Sequence, residues 1–218
     1  MLQHNSFRRT DWLLPAGLIA LSSIPIAAGI FRIVQLGSGA EVTPDNARFL
    51  AAPLPVTVHI LCSLIYCVLG ALQFSPGFRL RKPAWHRWAG RVLVPCGLIA
   101  ALSALWMTQF YPTGINPPAS FDGTVVYAMR LSAGSTWAFF LCLGVIAILK
   151  GDIPQHRAWM MRSYALALGA GTQVFTHLPW LLFPGIQGVL ARAIFMGAGW
   201  AINLAAAEWL ISRARRRH

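Results

Sequence analysis

The sequence contains few charged residues for its length. Asp, Glu, Lys and Arg together make up 11% of the 218 residues, whereas 56% are hydrophobic and the mean hydropathy is +0.58. A soluble domain carries about a quarter charged residues, so this composition excludes a cytosolic enzyme. We therefore predict an integral membrane protein whose lipid-facing surface accounts for the deficit in charge.

Acidic residues are especially scarce. The chain has 6 Asp and Glu against 18 Lys and Arg, a formal net charge of +12, and no carboxylate lies near the middle of a long apolar run. This absence disfavours a proton or cation pathway built on buried carboxylates. In a membrane protein the basic excess indicates loops that face an anionic leaflet. Membrane lipids are therefore the expected partners, and nucleic acid is not.

The usual catalytic and metal-binding motifs are also missing. The sequence has no CxxC, HExxH or GxSxG motif and no nucleotide-binding loop, so no catalytic residue is assigned and the question of enzymatic activity stays open. The cysteines lie inside apolar runs, which predicts buried small residues rather than a disulfide framework. They are Cys62, Cys67, Cys96 and Cys142.

The chain does contain six apolar runs separated by Pro, Gly and charged residues. A hydrocarbon core about 30 Å thick requires roughly 20 residues of helix, and each run meets that length. The predicted spans cover approximately residues 12–34, 54–75, 88–110, 126–149, 158–182 and 187–211. We predict an all-α polytopic membrane bundle that forms one domain over residues 1–218, with the second to fifth spans as a four-helix core.

The basic residues predict the orientation of these spans. All but four of the 18 Lys and Arg residues fall in segments on one side of the membrane, and Lys and Arg near helix ends favour the cytoplasmic side. The exceptions are Arg32, Arg48, Arg130 and Arg192. We predict a bacterial inner-membrane protein with both termini in the cytoplasm.

Four ionisable residues lie at a similar depth near the predicted outer ends of four spans: His59, Arg130, His177 and Arg192. Ionisable side chains inside a span are costly and are therefore functional candidates. Imidazole nitrogens can occupy both axial positions of a b-type haem, and arginines can pair with its propionates. We predict a haem b site with His59 and His177 as iron ligands, in a protein that exchanges electrons with a quinone. Alternatively, the arginines extend to lipid headgroups.

A short motif occurs twice, with its histidines 70 residues apart, and opens the third and fifth spans. A helix N-terminus presents free N–H groups and a positive dipole end, so each copy is a candidate site for a lipid phosphate, a haem propionate or a quinone oxygen. The first copy is Pro-Ala-Trp-His86-Arg87-Trp-Ala-Gly-Arg91 and the second is Pro-Gln-His156-Arg157-Ala-Trp-Met-Met-Arg162.

These two motifs support an alternative function as well as a cofactor role. His86 and His156 form a second, less favoured histidine pair for haem. The predicted residues for binding an anion or lipid are Arg87, Arg91, Arg157 and Arg162. On this interpretation the chain is a non-enzymatic membrane protein, a small transporter or a structural subunit, that binds an anionic lipid or solute at its basic helix N-termini.

Two other features predict helix packing rather than function. Small residues at Gly169–Gly171 and Gly197–Gly199 allow helices to approach closely. Arg162 lies one turn into the fifth span, and Glu208 is the only carboxylate at a comparable depth. We expect a pair between Arg162 and Glu208 to be structural.

Several of these motifs together resemble the bacterial membrane family catalogued as domain of unknown function 2306, over approximately residues 50–182. The motifs are His59 with Gly70 and Leu72-Gln73-Phe74, the segment from His86 to Arg91, and Gly-Asp-Ile-Pro-Gln-His156-Arg157-Ala-Trp-Met-Met-Arg162-Ser-Tyr164-Ala. The resemblance implies the membrane architecture and marks His59, His86 and His156 as candidates. It implies no particular reaction.

The four-helix core also looks, more loosely, like the cytochrome b561 type, which would imply electron transfer across the membrane. In that type the haem ligands come as facing pairs on the second and fourth helices and on the third and fifth. Here the fourth span has no histidine, and Arg130 stands near the expected place. The resemblance therefore leaves a single outer site, between His59 and His177.

Overall fold

The computed structural model describes residues 10–111, 121–186 and 188–216, most of which are helical, with no strand among them. The helices are α1 (Thr10–Gly37), α2 (Ala47–Ala51), α3 (Pro53–Gln73), α4 (Pro76–Arg81), α5 (Pro83–Phe110), α6 (Phe121–Leu149), α7 (Ile153–Ala167), α8 (Gly169–Thr176), α9 (Leu178–Leu182) and α10 (Val189–Arg215). A 3-10 turn covers Pro184–Ile186. The all-α prediction is confirmed. Arg8, Arg9 and Arg217, which contribute to the predicted orientation, lie outside the described residues, as do residues 112–120 between the third and fourth predicted spans.

Five of these helices are long and apolar enough to cross a membrane, judged by length and composition. The qualifying segments are Trp12–Gly37, Pro53–Gln73, Pro83–Phe110, Gly123–Leu149 and Leu190–Arg215. They coincide with five of the six predicted spans. Proline stands in the first turn of α3, α4 and α5, where its missing N–H would have had no helical partner.

The predicted span 158–182 folds as three consecutive helices, α7, α8 and α9, with breaks at Leu168 and His177. The ψ angle is −6° at both residues, whereas an ordinary α-helix has ψ near about −42°. Pro179 contributes to the second break because it has no N–H to donate to the carbonyl four residues earlier. This segment is not one long helix, so six membrane crossings stay a prediction.

The long helices alternate in direction, which gives the bundle two ends. Tyr111, just after α5, donates its hydroxyl to the Ala52 carbonyl oxygen at 2.7 Å, so the end of α5 meets the start of α3. Trp12, near the start of α1, packs edge to face on Phe78 of α4 with ring centroids 5.1 Å apart. We call these the α2 end and the α4 end, after the short helix at each.

The core of the bundle joins α3 to α6 and α7 through polar as well as apolar contacts. Tyr66, which is 2% exposed, forms a hydrogen bond of 2.8 Å with Ser163, and Tyr164 donates to the Cys67 carbonyl oxygen at 2.6 Å. Leu141 and Trp137 of α6 pack in the same cluster. Every buried polar group in a membrane needs a partner inside the protein, and these bonds provide one for each tyrosine hydroxyl.

The glycine pairs permit the close helix packing that the sequence predicted. A Cβ atom at Gly171 would lie 2.3 Å from the Leu21 carbonyl oxygen of α1, and one at Gly169 would lie 2.2 Å from the Trp200 ring of α10. A Cβ atom at Gly199 would likewise lie 2.6 Å from the Cγ atom of Gln173. Glycine is therefore what allows α8 to lie directly against α1 and α10.

Candidate ligand-binding site

A cavity of about 420 Å³ lies inside the bundle, toward the α2 end. Its size falls within the range of about 300–1,000 Å³ that is usual for small-molecule sites. Most of its wall is apolar, formed by side chains of α1, α3, α5, α6 and α10 that include Ile26, Ile60, Leu64, Met107, Trp137 and Trp200. The polar lining residues include Ser22, Arg48, His59, Ser63, Thr108, Arg130 and Gln173.

Among the described residues that line the cavity, one is a histidine, His59. Its Nδ1 atom lies 2.9 Å from the Ala100 carbonyl oxygen and 3.2 Å from the Ser103 hydroxyl on α5. A carbonyl oxygen can only accept, so Nδ1 carries the proton and Nε2 keeps a lone pair. Nε2 has one distant partner, the Ser63 hydroxyl at 3.5 Å. The ring is thus fixed in orientation and tautomer, with its basic nitrogen available.

Three arginines lie near one another at the α2 end of the bundle, and we call them the arginine cluster: Arg48, Arg130 and Arg192. Arg48 and Arg130 line the cavity, and the charges of Arg192 and Arg48 act on the Arg130 guanidinium. The Nε atom of Arg48 is buried without a hydrogen-bond partner. Among the side chains that the structure describes, no carboxylate pairs with any member of the cluster.

Aromatic contacts hold Arg48 at the cavity. Its Cζ atom lies 4.6 Å from the centroid of the Phe49 ring, and the Cζ atom of Arg32 lies 4.5 Å from the same ring. Phe49 in turn packs edge to face on Tyr111, with centroids 5.4 Å apart. Cation–π contacts of this kind fix a guanidinium without neutralising its charge.

His177, the second predicted haem ligand, is not among the residues that line the cavity. It occupies the break between α8 and α9, where its Nδ1 atom lies 2.9 Å from the Gln173 carbonyl oxygen and its ring packs against Phe195. The structure therefore brings His59 and Arg130 together at the cavity, with Arg192 acting on Arg130 through charge. Ligation of iron by His59 and His177 stays a prediction.

The two motif histidines approach each other at the α4 end. The charges of His156, Arg79 and Arg87 act on His86, whose Nδ1 atom is buried without a partner. His156 donates from Nδ1 to the Gly144 carbonyl oxygen at 2.8 Å. The repeat thus places its two histidines at one end of the bundle.

The motif arginines at the α4 end differ in their surroundings. Arg157 acts on Arg79 of α4, and burial, followed by that charge, lowers the pKa of Arg79 below its ordinary value. Arg87 and Arg91 are exposed. Arg162 donates two hydrogen bonds to Glu208, one of them at 2.8 Å, so the expected structural pair is confirmed.

Sequence reasoning missed Arg48 and Arg79 as site residues. Arg48 carried one usable signal, because it is a basic residue on the predicted outer side where few others occur. Its position beside Arg130 depends on how the segment between α1 and α3 folds back over the bundle. Within the described residues, no group of three or more His, Cys, Asp or Glu side chains comes together.

The long apolar helices define a multi-pass integral membrane protein. Residues 56–211 match the family described as "Predicted membrane protein (DUF2306)". Because the match covers well over half of the chain, the protein belongs to this family, as the sequence motifs predicted. The looser resemblance to the cytochrome b561 type has no support in this match. Comparison with curated proteins found no match, and comparison with solved structures found none.

Proposed function

We propose that this membrane protein binds an amphipathic organic molecule in the cavity beside His59. The observation that carries the proposal is an apolar cavity whose lining combines an imidazole of fixed tautomer with two arginine side chains. A few convergent polar groups in an apolar cavity are typical of small-molecule sites. The proposal includes the orientation expected from the basic residues, with both termini in the cytoplasm of a bacterial inner membrane.

The first specific form of this proposal is a b-type haem protein that exchanges electrons with a quinone. His59 suits an axial ligand because Nδ1 bonds the Ala100 carbonyl oxygen, which is the usual way to orient a metal-binding histidine. Arg48 and Arg130 suit the propionates. His177 does not line the cavity, so the residues there supply one histidine ligand rather than two. Bound haem would supply one-electron redox chemistry.

A visible absorption spectrum tests the haem form directly. The protein is purified in detergent from cells supplied with a haem precursor, and spectra are taken before and after dithionite. A Soret shift and a reduced α-band that disappear in His59→Ala support the proposal, and His177→Ala tells whether one or two histidines bind iron. A colourless protein overturns the haem form. Organic extraction and mass spectrometry of the purified protein then identify a colourless ligand.

The second candidate is a non-enzymatic membrane protein that binds an anionic lipid or solute at the α4 end. It is favoured by the approach of His86, His156, Arg79 and Arg157, and by the buried His86 Nδ1 atom that has no partner. Native mass spectrometry should show retained phosphatidylglycerol or cardiolipin that is reduced in Arg157→Gln. The control is Arg213→Gln, an exposed arginine on α10. Equal lipid retention in both variants contradicts this candidate.

A further inference from the structure

We infer that the ligand of the cavity carries an anionic head group, a carboxylate or a phosphate, which the arginine cluster holds at the α2 end while an apolar chain lies in the cavity. This inference rests on the proposed cavity function. It adds the charge of the ligand and the direction in which it lies. The cluster consists of Arg48, Arg130 and Arg192, as defined above.

The three arginines lie on three different helices, and each helix is held in place by its own contacts. Val126 of α6 packs against Ala193 and Met196 of α10. Val126 precedes Arg130 by one helical turn, and Ala193 directly follows Arg192 in the sequence. Helix packing therefore fixes the backbone positions of both arginines without a ligand. Preorganised groups of this kind bind without an added ordering cost.

The third arginine stands on a short helix whose start is also fixed. Asn46, which is 2% exposed, accepts from the Thr43 N–H at 2.7 Å and donates to the Glu41 carbonyl oxygen at 2.9 Å. These bonds close the turn before α2. Arg48 follows two residues later and rests on Phe49.

The positive charges of the arginine cluster favour a ligand with an anionic group. Arg130 experiences the like charges of Arg48 and Arg192, and no described carboxylate offsets them. Arg48 also holds a buried Nε donor that has no acceptor. Carboxylate and phosphate oxygens accept the paired N–H groups of a guanidinium and lower the repulsion among the three cations. A neutral quinone head group would leave that repulsion in place.

The apolar lining of the cavity favours an anion that is part of an amphipathic molecule. Beyond the arginines and His59, the wall consists largely of apolar side chains such as Ile60, Leu64 and Trp137. A free inorganic anion would leave this apolar space without a contact. A single acyl chain ending in a carboxylate or a phosphate satisfies both parts of the lining, as would a haem through its propionates.

Matched ligands test the inference. Dissociation constants are measured by native mass spectrometry in a non-ionic detergent for palmitate, palmitoyl-lysophosphatidate, hexadecanol, acetate and inorganic phosphate. Charge-assisted hydrogen bonds predict that palmitate or the lysophosphatidate binds about 10- to 100-fold more tightly than hexadecanol. The tighter of the two identifies the head group as carboxylate or phosphate. Arg130→Gln should remove most of the preference, and Arg213→Gln should retain it.

Cavity-filling variants separate this inference from the proposed function. Ala104 lines the cavity and Ala206 is exposed on α10, so Ala104→Phe should block amphiphile binding and Ala206→Phe should not. If hexadecanol binds as tightly as palmitate and Ala104→Phe blocks both, the anionic head group is overturned while the cavity function stands. A preference that survives Arg130→Gln, or acetate or phosphate binding as tight as that of the amphiphiles, also overturns the inference. If folded protein binds no amphiphile, both proposals fail.

Discussion

His59 on α3 donates from Nδ1 to the main-chain carbonyl oxygen of Ala100 on α5 at a distance of 2.9 Å. The same carbonyl accepts the Ser103 hydroxyl at 3.0 Å. One backbone oxygen thus joins two neighbouring helices and sets the orientation of the imidazole at the cavity wall. The structural role and the proposed ligand-binding role of His59 involve different ring nitrogens, so they can be separated by substitution.

Substitutions of His59 should distinguish these two roles. In His59→Asn the amide nitrogen can take the place of Nδ1 and donate to Ala100, whereas His59→Ala loses the bond and about 1 kcal/mol of stability. Both variants lack Nε2, so both should lose a ligand that binds that atom. Thermal unfolding in detergent and ligand content measured on the same samples provide the test. An Asn variant with full ligand content would show that Nε2 is not used.

The hydrogen bond between Tyr66 and Ser163 should contribute more to stability than an average hydrogen bond does. Ser163 is 0% exposed, so Tyr66→Phe leaves a buried hydroxyl without its partner, which costs about 1–3 kcal/mol. Adding Ser163→Ala removes the unpaired group and should recover part of the loss. A double-mutant cycle followed by thermal unfolding measures this coupling. Purely additive effects would contradict a direct interaction.

Glycine at position 171 should be required for close packing of α8 on α1. In Gly171→Ala the new Cβ would lie 2.3 Å from the Leu21 carbonyl oxygen, and overpacking of this kind costs about 1–3 kcal/mol. Gly90→Ala on α5 is the matched control, because nothing lies within 4 Å of its Cβ position. That control should gain about 0.5–1 kcal/mol from helix propensity. Equal melting temperatures would contradict the close contact.

The ion pair of Arg162 and Glu208 should contribute modestly to stability. The side chains are 15% and 51% exposed, and pairs with this degree of solvent access are worth about 0–1 kcal/mol. Arg162→Lys keeps the charge but loses the two-point geometry, so it should destabilise nearly as much as Glu208→Gln. Thermal unfolding at low and high salt checks both variants. Loss of more than a few kcal/mol would indicate a buried pair instead.

Cysteine labelling should report the orientation in the membrane. Val42 and Leu80 are 68% and 76% exposed and lie near the α2 end and on α4, at opposite ends of the bundle. In a background without the native cysteines, an impermeant maleimide added to spheroplasts should label Val42→Cys and not Leu80→Cys. Lysis should then expose Leu80→Cys to the reagent. The reverse pattern would place both termini outside.

The membrane architecture was accessible from the sequence because it depends on local composition. Five long helices coincide with predicted spans, since roughly 20 apolar residues are what a bilayer requires. The breaks at Leu168 and His177 were not predicted. They accompany contacts made by Gly169 and Gly171 with distant helices, and apolar periodicity carries no information about such contacts.

Only part of the candidate site could be predicted from the sequence. The positions of His59, Arg130 and His177 near the same end of the bundle follow from where each lies in its apolar run. His177 lies at the break between α8 and α9 and is absent from the cavity lining, and apolar periodicity predicts neither that break nor the direction in which a side chain faces. Arg48 required the fold of the loop between α1 and α3.

The contact of Gly171 with Leu21 also bears on biogenesis. Here α1 rests against α8, which is synthesised after it, and Gln173 of α8 and Trp200 of α10 contribute to the cavity wall. During synthesis this side of the cavity is therefore completed only when α8 and α10 have followed the earlier helices. A chain arrested before α8 lacks this part of the wall, so the proposed ligand should bind only after α8 and α10 have been inserted.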